Sequence, residues 1–504
     1  MAPSRHVRIL LYVLAFLAAG LAVILAILIA QFRPIARSYV LAALKQRYKA
    51  DVELGDLRIS FFPNVKATGE NLVLRPGAGL PPLVRVRRFT LDASLAGFFR
   101  KPRRIRHLTL EGTEIRIPPH SGAAKPTPPQ FPFELDEVTA NGTHLETLPA
   151  DPSKDPLVFE IHELTLRSLG IGRAMTFRAA LDNPKPPGPI HSEGNFGPWD
   201  ADDPGSTPVA GNYTFRDADL GVFRGIGGTL SSAGKYQGRL NSIEVRGTTD
   251  TPNFTLRTAG RPVPLHTEFA ATVDGSNGNT TLHPGRARLG KSNFEVSGTI
   301  DRGALEKHKT ILLQAKATGA RLDDFLRLAI KSGTPMTGGI AFDTKVKIPP
   351  GDSDVLSRMQ LDGLFSLGGV KFTSPDIASK IAGLSHRAQG DPKQTDSVAA
   401  DFKGHFRMEG AQLTLPDLEF SVPGAVVNLK GTYGVKSGEL DFIGTAKMDA
   451  TVSQMTTGIK RILLKPVDPM FKRGGAGTVL PIKISGTRGQ PSFQLDIGKA
   501  LKRQ

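Results

Sequence analysis

The chain has 504 residues, a net charge of +17 at pH 7 and no cysteine. The lack of cysteine excludes disulfides, cysteine-based metal sites and thiol catalysis, and it fits an oxidising compartment without requiring one. A chain of this length can bury a core and can form two or three domains.

An apolar run opens the chain. Residues Ile9 to Ala30 contain no charged side chain, and about 20 helical residues suffice to cross the ~30 Å hydrocarbon core of a bilayer. The run is longer than the apolar core of a cleaved signal peptide. We therefore expect residues 1–32 to form a cytoplasmic tip and a single transmembrane anchor, with a buried core helix as the alternative. Basic residues flank the run on both sides, so charge alone does not fix its orientation.

Residues 33–117 are expected to form a small α/β segment. Pro34 opens a short helical pattern, since proline is accommodated in a first helical turn. The period then changes to two residues, and four stretches predict short strands. In the last of them, Leu108 and Leu110 share one face, and Gly112 occupies a turn or bulge position.

Residues 118–132 are rich in proline and predict a linker or loop, and a second irregular stretch is expected at 183–208. Between and beyond them, residues 133–350 read as a central β-repeat region. The segment GTTDTPNFTL at 247–256 matches GTRGQPSFQL at 486–495, and looser copies begin at Phe294 and Val427. We interpret each copy as a strand, a turn at Gly-Thr and a return strand.

Residues 351–504 are expected to be a C-terminal β region with helices. Helical patterns occur at 321–331, from Ser374 to about Arg387, and after Asp449. Their apolar stripes favour packing on a sheet. The predicted fold class is therefore mainly β, with a single N-terminal transmembrane helix, an elongated, twisted antiparallel sheet that forms a groove, and a few short helices packed on it.

Basic residues are concentrated close to the apolar run. The segment 85–106 carries eight arginine and lysine residues against Asp92 alone, and such a zone next to a membrane anchor favours anionic headgroups. A solvated turn rich in arginine is the alternative. Nucleic-acid binding is not expected, because no recognisable binding module accompanies the charge. The candidate headgroup residues are Arg100, Lys101, Arg103 and Arg104.

No catalytic, cofactor-binding or metal-binding motif is expected to be functional, so the sequence predicts a protein that is not an enzyme and has no cofactor. Residues Gly285 to Ser292 fit the phosphate-binding loop G-x-x-x-x-G-K-[ST]. That loop works only between a strand and a helix, and here a second strand pattern follows. We expect a β-hairpin at this position.

Long stretches of the chain resemble the AsmA family, whose relatives include TamB and YhdP. The apolar run is followed by VELGDLRISFFPNVKATGENLVL, PPLVRVRRFTLDASL and HLTLEGTEIRIPP, and the distal part contains FTSPDIASKIAGLSHRAQG and DFKGHFRMEGAQLTLPDLEFSVPGAVVNLKGTYG. The resemblance implies an inner-membrane anchor with a cytoplasmic N-terminus, a periplasmic β-rich body and a curved sheet with an apolar concave face. It also implies a role in phospholipid transport between the inner and outer membranes.

The alternating strands agree with this expectation, because a groove with one apolar face can hold acyl chains. A closed core is the alternative for each lining residue. The partners implied are phospholipid, the inner membrane and outer-membrane acceptor or assembly proteins. A scaffold that modulates the insertion of outer-membrane proteins, without lipid transfer, is the second hypothesis. The candidate groove residues are Leu108, Leu110, Phe254, Leu256, Leu413, Leu415, Phe493 and Leu495.

Overall fold

The computed structural model describes most of the chain after residue 50. The described residues are 51–60, 64–75, 81–99, 103–117, 133–147, 156–170, 172–198, 200, 203–256, 261–275, 278–301, 309–330, 333–351, 353–394, 396–455 and 477–495. The expected anchor, the helix opened by Pro34 and the linker at 118–132 lie outside them. The described part is mainly β with few helices, as predicted.

The chain divides into two compact units. The first comprises Met1–Asp219, Leu230–Thr248 and Ala270–Thr280, and the second comprises Leu220–Thr229, Thr249–Phe269 and Thr281–Gln504. The domain boundaries expected at residues 132 and 350 stay predictions.

In its described residues, unit 1 is a series of paired strands with one short α-helix. Its strands are β1 (Asp51–Glu53), β2 (Leu57–Ser60), β3 (Val65–Arg75), β4 (Val84–Ala93), β5 (Arg103–Ile117), β6 (Phe133–Thr147), β7 (Leu157–Leu169), β8 (Met175–Pro184), β9 (Pro187–Phe196), β10 (Pro208–Asp219) and β12 (Thr229–Arg239), and helix α1 is Leu95–Phe99. Neighbouring strands from β3 to β10 pair in chain order, and β3 also pairs with β1 and β2.

The described residues of unit 2 contain the remaining strands and three α-helices. Its strands are β11 (Ile226–Gly227), β15 (Thr280–Leu289), β16 (Ser292–Asp301), β17 (Thr310–Arg321), β18 (Met336–Ile348), β19 (Gln360–Phe372), β20 (Ala400–Glu409), β21 (Gln412–Val422), β22 (Ala425–Gly434), β23 (Glu439–Met448), β24 (Thr478–Thr487) and β25 (Gln490–Leu495). The helices are α2 (Leu322–Ala329), α3 (Val355–Arg358) and α4 (Pro375–Ala388). Strands β13 (Ser242–Leu256) and β14 (Val263–Val273) contribute residues to both units, and Thr229 of β12 and Thr280 of β15 each fall in the other unit.

The expectation of a purely antiparallel sheet is wrong at one place. Strands β5 and β6 are parallel, with Leu108 opposite Val138 and Ile115 opposite Leu145. A parallel pair needs a crossover connection rather than a tight turn, and β5 and β6 are separated in the sequence by residues 118–132, which lie outside the described residues. The other strand pairs from β3 to β10, and those from β16 to β25, are antiparallel.

Two expected helices are present and one irregular stretch is a strand. Helix α2 falls within the predicted span 321–331, and α4 begins after Ser374 with a proline in its first turn. The Ser374 side chain makes no capping hydrogen bond. Within the stretch expected to be irregular at 183–208, residues 187–196 form β9 between β8 and β10. Pro187 begins that strand, where proline is compatible with a sheet.

The repeated Gly-Thr element is not a hairpin turn in three of its four copies. Gly247, Gly298 and Gly431 lie inside continuous strands β13, β16 and β22. A Cβ atom on them would overlap the carbonyl oxygens of Ala233, Leu312 and Asp441, respectively, on the neighbouring strand. The glycines are therefore used for close backbone approach. Only the copy at 486–495 forms a hairpin, with β24 and β25 joined after Thr487.

We predict that Gly444→Ala destabilises unit 2 while Gly368→Ala does not. A Cβ on Gly444 in β23 would overlap the Asn428 carbonyl oxygen, whereas a Cβ on Gly368 in β19 has no atom within 4 Å. Overpacking of this kind costs about 1–3 kcal/mol. Chemical denaturation of the two variants and the unmodified protein measures the difference. Equal loss of stability in both variants would contradict the close-approach explanation.

Candidate functional site

The strands of unit 2 carry an apolar face. Because side chains alternate along a strand, the pairing register places every second residue of neighbouring strands on the same side. In one cross-strand row, Leu313 lies opposite Val346, which lies opposite Leu361, which lies opposite Met408. We call this side the apolar face of unit 2. It comprises Ile311, Leu313, Phe342, Val346, Ile348, Leu361, Phe365, Phe402, Phe406, Met408, Leu413, Leu415, Leu429, Phe442, Ile482 and Ile484.

The apolar face is only partly withdrawn from water. Leu415, Leu429 and Phe442 are buried, at 7–8% exposure, and they form a cluster to which Phe365 and Phe406 belong as half-buried members. The rings of Phe365 and Phe406 meet edge to face, with centroids 6.0 Å apart. Half-buried aromatic side chains on a common face give a surface on which an apolar molecule can displace water.

The opposite side of the same strands is polar and carries cross-strand ion pairs. Lys403 pairs with Glu419 at 2.9 Å, and the carboxylate of Asp362 contacts His405 at 2.9 Å and Arg407 at 3.0 Å. The hydrogen bond from His405 lowers the pKa of Asp362, and the charge of Arg407 acts in the same direction. Lys403, Asp362 and Arg407 are exposed, whereas Glu419 and His405 are half-buried. Each pair thus has at least one member in water, so this side is suited to water.

Three helices pack against the apolar face. The ring of Phe325 on α2 lies 5.3 Å from that of Phe342 and 6.0 Å from that of Phe294. Leu356 on α3 joins a buried group with Met408. Helix α4 contacts β19 and β22. The sequence prediction of short helices on the sheet is confirmed, and these helices cover part of the apolar face.

The predicted groove residues occupy different environments. Leu108 and Leu110 are 2% and 6% exposed and belong to the buried core of unit 1. Leu415 is buried in the unit 2 cluster, to which the half-buried Leu413 is attached. The two remaining pairs are Phe254 with Leu256, half-buried on β13, and Phe493 with Leu495, on β25 opposite Ile484 and Ile482. The side chains of the last pair lie outside the described part.

The four basic candidates are less fully described. Arg100 and Lys101 lie outside the described residues, as does the side chain of Arg103, which is in β5. Arg104 is exposed, and its guanidinium donates to the carboxylate of Asp136 at 2.8 Å. That hydrogen bond raises the pKa of Arg104 above its ordinary value.

The phosphate-loop pattern forms the expected hairpin, and a carboxylate lies against its turn. Strand β15 ends at Leu289 and β16 begins at Ser292. The backbone N–H of Lys291 and the hydroxyl of Ser292 both donate to Asp324 Oδ2, at 2.9 and 2.8 Å. Asp324 is 3% exposed and lies in the first turn of α2, where a negative charge is favoured. The groups that would meet a phosphate in a nucleotide site here fix a helix to the sheet.

Sequence reasoning missed Phe365 and Phe406, an aromatic pair on the apolar face. The two-residue alternation in LDGLFSL and DFKGHFRM was the available signal. The two rings meet only because strands β19 and β20 pair. Phe365 and Phe406 are 41 residues apart in the sequence, and the local pattern does not show which strands lie side by side.

No family model, no curated protein and no solved structure matches this chain. The AsmA resemblance therefore rests on the sequence segments alone. No helix in the described part of the chain has the length and hydropathy of a membrane span. Within that part, no group of three or more histidine, aspartate or glutamate side chains could hold a metal ion.

We predict that Asp324→Ala lowers the free energy of unfolding by about 1–3 kcal/mol, because two donors lose their buried acceptor. Asp376→Ala is the matched control, since Asp376 also lies in a first helical turn but pairs with Lys380 at an exposed surface. Its expected effect is about 0.5 kcal/mol or less. Urea denaturation measures both variants. Equal effects would show that the Asp324 carboxylate does not fix α2.

Proposed function

We propose that this protein is anchored in the inner membrane and carries or channels phospholipids between the inner and outer membranes along an apolar β-groove. The anchor is the apolar run at Ile9 to Ala30, and the body is periplasmic. The groove surface is the apolar face of unit 2, with its half-buried phenylalanine and aliphatic side chains. No covalent step is part of this function.

The observation that carries the proposal is the two-sidedness of consecutive strands in unit 2. From β17 to β24, apolar side chains predominate on one side, while the other side carries charged pairs such as Lys316 with Asp343 and Lys403 with Glu419. Four exposed aliphatic residues lie among the charges on that second side: Leu312, Leu364, Val426 and Ile443. A closed core does not require half-buried aromatic residues such as Phe365 along such a face. The part of such a face that stays exposed is available to an acyl chain.

The expected energies allow an acyl chain to be held on the apolar face and to slide along it. Each acyl CH₂ removed from water contributes about 0.8 kcal/mol, so a chain that shelters several groups is retained. Neighbouring strands lie ~4.8 Å apart and present similar side chains, so the energy changes little as a chain moves by one strand. Dispersion and water exclusion supply the attraction without fixing one position.

Lipid content is the direct test. The full-length protein, purified in mild detergent and extracted for mass spectrometry, should contain phospholipid in a constant ratio to protein through successive washes. A preparation that loses all lipid in the first wash, while remaining folded by circular dichroism, would argue against the proposal. Crosslinking that traps outer-membrane proteins without lipid would instead support the scaffold hypothesis.

A pair of adjacent residues offers a matched test of the face. Phe365→Arg places a charge on the apolar face, whereas Leu364→Arg places the same charge on the polar face, where Leu364 is 60% exposed. Phe365 is only half-buried, so a long arginine can extend its charge to water and the fold is retained. We expect lipid transfer between vesicles to fall on the order of tenfold with Phe365→Arg, since a charge opposes acyl-chain burial.

The Leu364→Arg variant should transfer lipid at the unmodified rate. Circular dichroism and thermal melting establish that both variants are folded. Equal transfer by the two folded variants would place the lipid path elsewhere.

A further inference from the structure

Four hydroxyl groups interrupt an apolar face in unit 1. Phe177, Leu181, Ile190 and Phe215 share one side of β8, β9 and β10, since Leu181 lies opposite Ile190 and Ile190 lies opposite Phe215. Ser192 and Tyr213 lie opposite each other on the same side. Tyr236 of β12 reaches Ser192, and Ser232 of β12 reaches Tyr213. We call Ser192, Tyr213, Ser232 and Tyr236 the hydroxyl cluster. All four side chains are half-buried.

Glycines determine where the two tyrosine rings lie. A Cβ on Gly211 would meet the Tyr236 hydroxyl at 2.6 Å, and a Cβ on Gly234 would meet the Tyr213 ring at 2.8 Å. Each ring therefore lies across a glycine of the neighbouring strand, an arrangement that stabilises glycines in sheets. The Tyr236 hydroxyl therefore lies over Gly211, and the Tyr213 ring lies over Gly234.

The hydrogen bonds fix the direction of the phenol protons. Ser192 Oγ donates its only proton to the carbonyl oxygen of Asn212 at 3.0 Å, so the 2.8 Å contact with Tyr236 requires the phenol to donate. Ser232 Oγ likewise donates to the carbonyl oxygen of Thr248 at 2.9 Å. The 3.1 Å contact between Ser232 and Tyr213 then uses the Tyr213 proton.

The cluster consequently presents acceptors and no donors. Each phenol donates its hydrogen bond to a serine. Among the described residues neither phenol oxygen has a second hydrogen-bond partner. Burial raises the pKa of Tyr236, which keeps its phenol protonated. A ligand group at this position must donate a hydrogen bond, so phosphate and ester carbonyl oxygens do not fit.

The donor must also be neutral. Ion pairs on these strands lie on the opposite side, where Arg178 pairs with Glu193, so an ammonium group on the apolar side would lose water without gaining a counter-charge. A hydroxyl group costs less to remove from water, and a hydrogen bond to a phenol oxygen compensates that cost. A hydroxyl carried on an apolar chain meets both conditions.

We propose that the hydroxyl cluster selects amphiphiles whose acyl chain carries a hydroxyl group, which donates to the phenol oxygens of Tyr213 and Tyr236. This inference rests on the proposed function and extends it to unit 1, because the acyl chain must lie on the apolar side chains beside the cluster, such as Phe177, Ile190 and Phe215. Along such a face, the cluster is a position at which a sliding hydroxylated chain pauses.

Three fatty acids of equal length separate donor from acceptor chemistry. Stearate, a mid-chain hydroxystearate and the corresponding ketostearate are compared by competition against a fluorescent fatty acid bound to the full-length protein. The hydroxyl chain should bind about fivefold more tightly than the ketone, the gain expected for one hydrogen bond. The ketone is polar but can only accept, so it controls for polarity.

Two double variants test the assigned proton directions. Tyr213→Phe with Tyr236→Phe keeps both rings but removes the acceptors, so the preference for the hydroxyl chain should disappear. Ser192→Ala with Ser232→Ala frees both phenol protons for donation, so binding of the ketone should increase relative to the hydroxyl chain. Tyr433→Phe is the matched control in unit 2, where the Tyr433 hydroxyl accepts from Arg488, and it should leave the preference unchanged.

The outcomes are separable. Equal binding of the hydroxyl and keto chains to the unmodified protein overturns the inference while leaving the proposed function standing. A preference that survives in the folded tyrosine double variant also overturns it. Failure of all three fatty acids to compete refutes the proposed function and this inference with it.

Discussion

The alternation of side chains across a hydrogen-bonded ladder is the constraint on which the structure depends. Each internal strand satisfies its backbone groups through two neighbours, so its side chains have only two directions to take. In unit 2 the charged side chains take one direction and form exposed pairs such as Lys403 with Glu419. The apolar side chains then have to be covered by the chain itself or by another molecule. Helices α2, α3 and α4 provide part of that cover.

Close approach of the strands is the second requirement, and glycine provides it at repeated positions. Gly298, Gly431 and Gly444 lie where a Cβ would overlap a neighbouring carbonyl oxygen. Leucine or valine at such positions would force the strands apart and weaken the ladder hydrogen bonds. In unit 1 the same absence of side chains has a further consequence, because the rings of Tyr213 and Tyr236 lie over Gly234 and Gly211. Glycine therefore permits both the close packing of the strands and the position of the hydroxyl cluster.

Polar groups on the two faces of the sheets act differently. Exposed ion pairs on the polar side contribute little stability, since water screens them, and they keep that side soluble. In the hydroxyl cluster of unit 1 the hydrogen bonds have a fixed direction, because Ser192 and Ser232 each donate to a backbone carbonyl oxygen. The buried carboxylate of Asp324 has a third role, since it accepts from the hairpin at Lys291 and Ser292 and so fixes α2.

Local pattern was sufficient to predict much of the fold. The two-residue period predicted strands β3, β4 and β5, and a Ser-Pro-Asp start predicted α4, because alternation and capping depend on residues close in sequence. The same locality misled the interpretation of the Gly-Thr repeats, where the neighbour that requires glycine is on another strand.

The sequence by itself determined that this chain is a β protein with apolar and polar strand faces, since the two-residue alternation of apolar and polar side chains is visible in the order of residues. Only the tertiary structure decided which strands meet. It made β5 and β6 parallel, buried Leu108 in the core of unit 1, and brought Ser192 to Tyr236 across 44 residues. Pairing partners and register depend on the free energy of the whole sheet, and no local pattern specifies them.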